Sequence, residues 1–284
     1  MRIRPMTRPE VQALIAWAAA EGWNPGRHDA ESFWHTDPEG FLAAEAEGEL
    51  AGGGAIFRHH PQFGFMGLFI VRPEFRRRRL GARLWYARRD RLIARLDPGA
   101  TIGLDGVDAM VPFYERGGFR PFARHRRFQL GTLPTDLPPS SPSLVALQSL
   151  DRGAIQQFDR RCFAGDRSRF LEAWLGQPEA AALGAVGPQG LRGYGVVRPC
   201  VIGWKIGPLF AEGVEEARRL FHGLCRAAGS GPLWLDVPDD NPAALQLCAE
   251  HRMTEVFRCT RMYLGPPPDV ERAAIFGVAT LEAG

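Results

Sequence analysis

The sequence predicts a mixed α/β protein made of two similar domains, on three observations. Strand and helix patterns alternate along the chain instead of segregating. A stretch without apolar periodicity, GTLPTDLPPSSPS at residues 131–143, divides them. Beyond that break part of the earlier order returns, and Cys248, Met253 and Arg261 stand 134 positions after Tyr114, Phe119 and Arg127. Leu235-Asp236 also echoes Leu104-Asp105, with a three-residue shift. The 284 residues suit two domains at roughly 150 residues each. We therefore expect a first domain at 1–130, a Pro/Ser-rich linker at 131–143 and a second domain at 144–284.

Thr7-Arg8-Pro9-Glu10 has capping-box spacing and leads into Val11, Leu14, Ile15 and Ala18 at helical intervals, so a helix should run to about Glu21. FLAAEAEGELAGGGAIF predicts two strands around a Glu47-Gly48 turn, and GFMGLFIV a third, more buried one. After a short basic loop, Leu80, Leu84, Ala87 and Leu92 mark one face of a second helix. TIGLDGV then predicts a strand, MVPFYERGGF a short helix with a glycine exit, and ARHRRFQL a closing strand. In the second half GLRGYGVVRP, VIGWKIGPLF, PLWLDVP and FRCTRMYLG predict strands, with VEEARRLFHGLCRAA and NPAALQLCAEHRM as helices. Alternation in the tail, IFGVATLEAG, suggests one more strand returning to a sheet.

Composition narrows the function. Hydrophobic residues at 45% and charged residues at 24% exclude a disordered chain. A net charge of +3 lacks the basic footprint of a nucleic-acid binder, so any anion site must be local. No apolar run approaches the roughly 20 residues of a membrane span, and MRIRPMTRPEVQ lacks a signal-peptide core, which predicts a cytoplasmic protein without a membrane partner. The five cysteines all fall in the second half and contain no C-x-x-C pair, as expected of free thiols. Histidines and cysteines show no metal-ligand spacing, so no metal is expected. His59 and His60 follow a strand end and are expected to face solvent.

The strongest local signal is the strand, basic loop and helix from Phe69 to Trp85, because a helix amino terminus offers unpaired N–H groups to a pyrophosphate. Arg76-Arg77-Arg78-Arg79-Leu80-Gly81 resembles the R/Q-x-x-G-x-G/A loop of the GNAT acetyltransferase superfamily, with Arg79 where a glycine is usual and Arg77 where one is common. Phe113-Tyr114-Glu115-Arg116-Gly117-Gly118-Phe119 resembles the FYxxxGF element that follows the fifth strand there. The resemblance implies two tandem GNAT-like domains, each a mostly antiparallel twisted sheet flanked by helices, with acetyl-CoA as cosubstrate. It further implies that Phe69, Ile70 and Val71 run along the acetyl and pantetheine arm. Arg76, Arg77, Arg78, Arg79, Leu80, Gly81 and Ala82 would hold the pyrophosphate, and Tyr114 would protonate the departing thiolate.

No glutamate lies in GFMGLFIV, which leaves Asp105 as the candidate base or amine anchor, against a hydrogen-bonded structural aspartate. Trp23, Asn24 and His28 are candidate acceptor contacts in a segment that also has turn character. Lys205, the one lysine, and Asp236 are further candidates, with structural ion pairing the alternative. The second half has no arginine-rich loop, and Cys248 replaces the tyrosine, so this half should be degenerate and shape the acceptor site. The expectation is an N-acetyltransferase acting on a small-molecule or amino-acid-like amine by direct attack. The alternatives are a noncatalytic acyl-CoA sensor and a protein or peptide N-acetyltransferase. A duplicated chain favours a monomer over a homodimer.

Overall fold

The computed structural model describes residues 2–134 and 136–284; Met1 and Thr135, the latter inside the expected linker, lie outside the described residues. The first half contains β1 (Arg2–Pro5), α1 (Arg8–Ala20), α2 (Asp29–Thr36), β2 (Phe41–Ala46), β3 (Glu49–His60), β4 (Phe63–Val71), α3 (Leu80–Arg95), β5 (Thr101–Gly106), α4 (Val111–Arg116) and β6 (Arg120–Leu130). The second contains β7 (Leu144–Ala146), α5 (Arg152–Cys162), α6 (Ser168–Leu175), β8 (Ala181–Gly187), β9 (Gly190–Pro199), β10 (Trp204–Ala211), α7 (Val214–Ala227), β11 (Leu233–Pro238), α8 (Pro242–Glu250), β12 (Thr254–Leu264) and β13 (Ile275–Gly277). β1, α2, β7, α5, α6 and β8 were not expected from the sequence. In α2 the buried positions include Asp29, Ser32 and Thr36 beside Phe33, so an apolar stripe is absent although the helix is packed.

All strands join one sheet in the order β1-β2-β3-β4-β5-β12-β6-β11-β10-β9-β8-β7, with β13 added against β10. Pairing is antiparallel except for β4–β5 and β10–β11. The two halves exchange their closing strands: β12 completes the first half beside β5, and β6 completes the second beside β11. His125 lies opposite Cys259 where β6 meets β12, and these two residues are themselves 134 positions apart, so a local two-fold passes between them.

The exchange places Arg261 directly opposite Asp105 and Arg127 directly opposite Asp236. Both pairs are bidentate, at 2.8 and 2.6 Å for Arg261–Asp105 and 2.6 and 2.8 Å for Arg127–Asp236. The sequence echo thus turns out to be a reciprocal pair of buried clasps between the halves. A mixed aromatic core adds to them, with Phe33 of α2 stacked on Trp174 of α6 at 6.1 Å and Phe57 and Phe65 buried in the same cluster.

The parallel strands separate at equivalent places. β4 pairs with β5 only from Phe63 to Met66, and Leu68, at φ +36°, bulges out of the register with β3. β10 pairs with β11 only from Trp204 to Ile206, and its register with β9 shifts between Ile206 and Leu209. Each half therefore opens a wedge in the sheet. In the second half β13 fills it, pairing with Leu209 and Phe210 while Val278 N–H donates to the Asp236 carbonyl at 2.9 Å. The Asn241 side chain, which caps α8, also holds the Ile275 carbonyl at 3.0 Å. In the first half the wedge stays open.

Candidate active site

The open wedge is a cavity of about 840 Å³, bounded by β4 from Met66 to Val71, the start of α3, Leu104 and Asp105 of β5, and Tyr114 of α4. That volume lies in the usual range for a small-molecule site. The second half closes it with Ile202, Trp234, Phe257, Leu281 and Glu282.

At one end lies the arginine loop. Arg77 and Arg79 have φ of +64° and +59°, the left-handed conformation that glycine adopts freely and other residues take at a cost of about 1 kcal/mol each. The backbone thus keeps the glycine-like path although the side chains are arginine. Arg79 caps α3 without a side-chain hydrogen bond, which leaves the first-turn N–H groups for an anion. Arg76 donates to the Val71 carbonyl at 2.8 Å and pairs with Glu21; Arg78 pairs with Glu47 at 2.8 Å. Arg77 and Arg79 are exposed and have no carboxylate partner among the described residues, so the two departures from the glycine pattern carry the guanidinium groups free to meet phosphate. Arg76, Arg77, Gly81, Phe69, Ile70 and Val71 line the cavity, whereas Arg78, Arg79, Leu80 and Ala82 do not.

Deeper in, Tyr114 is buried, with its ring 5.8 Å from that of Trp85. Gly106 makes room for it, since a Cβ there would lie 2.4 Å from the tyrosine ring. Burial raises the phenol pKa, opposed by the nearby Arg88 guanidinium, which keeps Tyr114 protonated and able to donate. Arg88 is buried and has no carboxylate partner among the described residues. It donates to the carbonyls of Ala55 on β3 and Gly67 on β4, which pair with each other beside the bulge, and lies 5.2 Å from the Phe69 ring centre. Gly54 admits it, because a Cβ there would be 2.6 Å from its guanidinium carbon. Arg88 was missed from the sequence. Its signal was a charged residue four positions from both Leu84 and Leu92, inside the apolar stripe of α3.

Several expected contacts fall elsewhere. Asp105 borders the cavity, but Arg261 occupies both its oxygens and His125 Nδ1 lies at 3.1 Å. Burial alone would raise its pKa; Arg261 and His125 outweigh that and hold it well below the usual carboxylate range, which unsuits it to the base role expected of it. Asp105, His125 and Cys259 place ligand-type atoms within 4.8 Å of one another, yet a cation there would have to displace Arg261. Lys205 and Asp236 are buried and do not line the cavity: Lys205 donates to the Asn24 carbonyl at 3.1 Å and Asp236 clasps Arg127. His28 lies outside it as well, 3.2 Å from Glu179. Trp23 and Asn24 do reach it, held from the second half, with Asn24 bonding the Ile202 backbone in both directions at 3.0 and 2.9 Å.

His59, expected in solvent, is packed edge-on against Phe163 and Phe170 and bonds the Ala283 carbonyl at 2.7 Å; burial and Arg167 hold its pKa down to about 4. Cys248 repeats the local geometry of Tyr114, its carbonyl accepting from Met253 N–H as that of Tyr114 accepts from Phe119 N–H. Its thiol, however, lies in the apolar core of the second half, where burial pushes its pKa up to about 12.

Comparison with known proteins agrees with this geometry. Residues 8–119 match the Acetyltransferase (GNAT) family model, and residues 155–277 match an Acetyltransferase (GNAT) domain model. The chain is 25% identical over 283 residues to a holothin acyltransferase from Pseudoalteromonas sp. (strain SANK 73390), covering 99% of this chain and 94% of that one. An acetyltransferase structure from Pyrococcus horikoshii superposes with a TM-score of 0.85 at 24% identity, covering 100% of this chain and 95% of that one. A tandem GNAT protein from the clavulanic acid biosynthesis pathway superposes with a TM-score of 0.64 at 14% identity, covering 94% and 99%. Two family matches in tandem, on a sheet with one open and one filled wedge, identify the chain as a tandem GNAT protein of the acyltransferase class.

Proposed function

We propose that this protein is an acetyl-CoA-dependent N-acetyltransferase that acts on the amine of a small molecule by direct attack. The observation that carries the proposal is the open wedge between β4 and β5, with a phosphate-type loop at one end and Tyr114 within. Acetyl-CoA would supply the acyl thioester. The α3 amino terminus would bind its phosphates, with Arg76 and Arg77 on the cavity wall and Arg79 exposed in the same loop, and the cavity-lining stretch Phe69–Val71, unpaired on its β5 side, would offer backbone to the pantetheine arm. Arg88 would brace the bulge that aims this backbone, and Tyr114 would give a proton to the departing sulfur.

Trp23, Ile202, Trp234, Val256 and Phe257 make the remaining wall largely apolar, and its cation Arg127 is already paired with Asp236. This favours an acceptor with an apolar body and one amine over an amino-acid-like acceptor whose carboxylate would need a cation. Exchange of closing strands within one chain supports a monomer. Among the described residues no helix is long and apolar enough to cross a membrane.

Calorimetry with acetyl-CoA tests the loop. We expect micromolar affinity, about −8 kcal/mol, weakened by Arg76→Ala and kept by Tyr114→Phe. Thiol release with a panel of primary amines then tests transfer. Binding without turnover would favour the acyl-CoA sensor; no binding would end both readings.

A further inference from the structure

We infer that Glu282, supplied by the tail of the second half, is the carboxylate that holds the acceptor's amine and takes its proton; the assignment rests on the transfer reading above. An amine that is protonated in water must lose a proton before it can attack, so a proton acceptor beside the acyl site is needed, and a carboxylate free of cations can be one. Three carboxylates line the cavity. Glu21 is paired with Arg76, and both oxygens of Asp105 are held by Arg261. Glu282 alone of the three has no cation within ion-pair distance among the described residues; its carboxylate accepts from the Thr280 hydroxyl, and the residue is only 6% exposed.

Its position is fixed at the point where chemistry would occur. The tail crosses β4 at Gly67, so closely that a Cβ on Gly67 would lie 1.6 Å from the Glu282 carbonyl oxygen. Gly67 adjoins the Leu68 bulge at which β4 leaves β5. The turn beyond is pinned by Gly284 N–H to the Thr280 carbonyl at 3.1 Å, by His59 on the Ala283 carbonyl at 2.7 Å, and by Arg167 on the Gly284 carbonyl at 3.0 Å. The cations whose field includes Glu282 come from three strands: Arg127 of β6, Arg198 of β9 and Lys205 of β10. Arg127 is neutralised by Asp236 and Arg198 by Asp29, and Lys205 is directed to the Asn24 carbonyl.

Glu282 takes one proton from the ammonium, and the freed nitrogen lone pair forms the C–N bond to the acyl carbon. The C–S bond then breaks with its electron pair on sulfur, and Tyr114 protonates that sulfur. The second N–H proton restores the phenol through solvent, so the products are the amide, the free thiol and one proton carried off from Glu282.

The test compares two acceptors in intact protein with acetyl-CoA: 2-phenylethylamine, protonated at neutral pH, and hydroxylamine, which is not. We expect Glu282→Gln to lower kcat/KM for 2-phenylethylamine about 100-fold and to leave transfer to hydroxylamine and acetyl-CoA affinity within about threefold. The deficit should shrink as pH rises and the amine loses its own proton, and Glu282→Asp should restore part of the rate. Equal losses with both amines would mean that Glu282 only packs the tail, and no loss would mean that it is idle; either result overturns the assignment. A wild-type protein that binds acetyl-CoA and consumes neither amine would instead end the transfer reading, and this role with it.

Discussion

The two halves open the same wedge in the same sheet and differ in what fills it. Between β4 and β5 the space is free, with a left-handed arginine loop at its mouth. Between β10 and β11 the chain fills the space with its own β13, held by Asn241 and by the Asp236 carbonyl. Absence of the arginine loop and the tyrosine is therefore only part of the difference, because the second wedge is also occupied by the chain's own strand. The same tail that blocks one wedge then runs on to furnish the wall of the other.

The largest effects are expected at the two symmetric clasps. Asp105→Asn and Asp236→Asn should each destabilise the fold by about 3–5 kcal/mol, because each leaves a buried arginine without its anion. Denaturant unfolding checks this, and unequal losses would show that the two clasps are not equivalent. Both carboxylates have lowered pKa values through their arginine partners, opposing burial. Their contribution is therefore complete above the unfolded carboxylate pKa of about 4. It is lost as pH falls below that, and neither mutant should retain its share of the acid sensitivity.

Next in size is Tyr114→Phe, expected to lower kcat about 100-fold with acetyl-CoA affinity intact, whereas Cys248→Ala, at the equivalent position, should leave transfer unchanged. Steady-state kinetics and calorimetry separate the two. The smallest effect sharpens the loop. Arg77→Gly and Arg79→Gly should each gain about 1 kcal/mol of stability by relieving a left-handed arginine. Each should weaken acetyl-CoA binding severalfold by removing a free guanidinium. A melting curve and a titration on the same protein show whether the two changes oppose each other as expected.

Much of this was legible in the residues. The arginine loop and the FYxxxGF element announced the fold of the first half, because their glycine and aromatic positions are set by local backbone geometry. The 134-residue offset announced the duplication, yet the exchange of β6 and β12 was not legible, since an offset is the same whether a strand completes its own domain or its sister. Asp105 was noticed as a carboxylate within the strand TIGLDGV and Asp236 as a charge for which ion pairing was the alternative; both signals point to a partner and say nothing of which one. Arg88 left a faint signal within the α3 stripe. Glu282 left none, for its placement depends on a tail that crosses two strands remote in sequence.

Strand exchange also bears on how the chain is made. β5 is synthesised near residue 100 but its neighbour β12 ends only at Leu264, and β6 waits more than a hundred residues for β11. Pairings so distant in sequence slow folding and leave strand edges exposed on the ribosome-bound intermediate. The first half, although it carries the loop and the tyrosine, therefore emerges as an unfinished sheet. Its completion waits for β12, among the last strands of the chain.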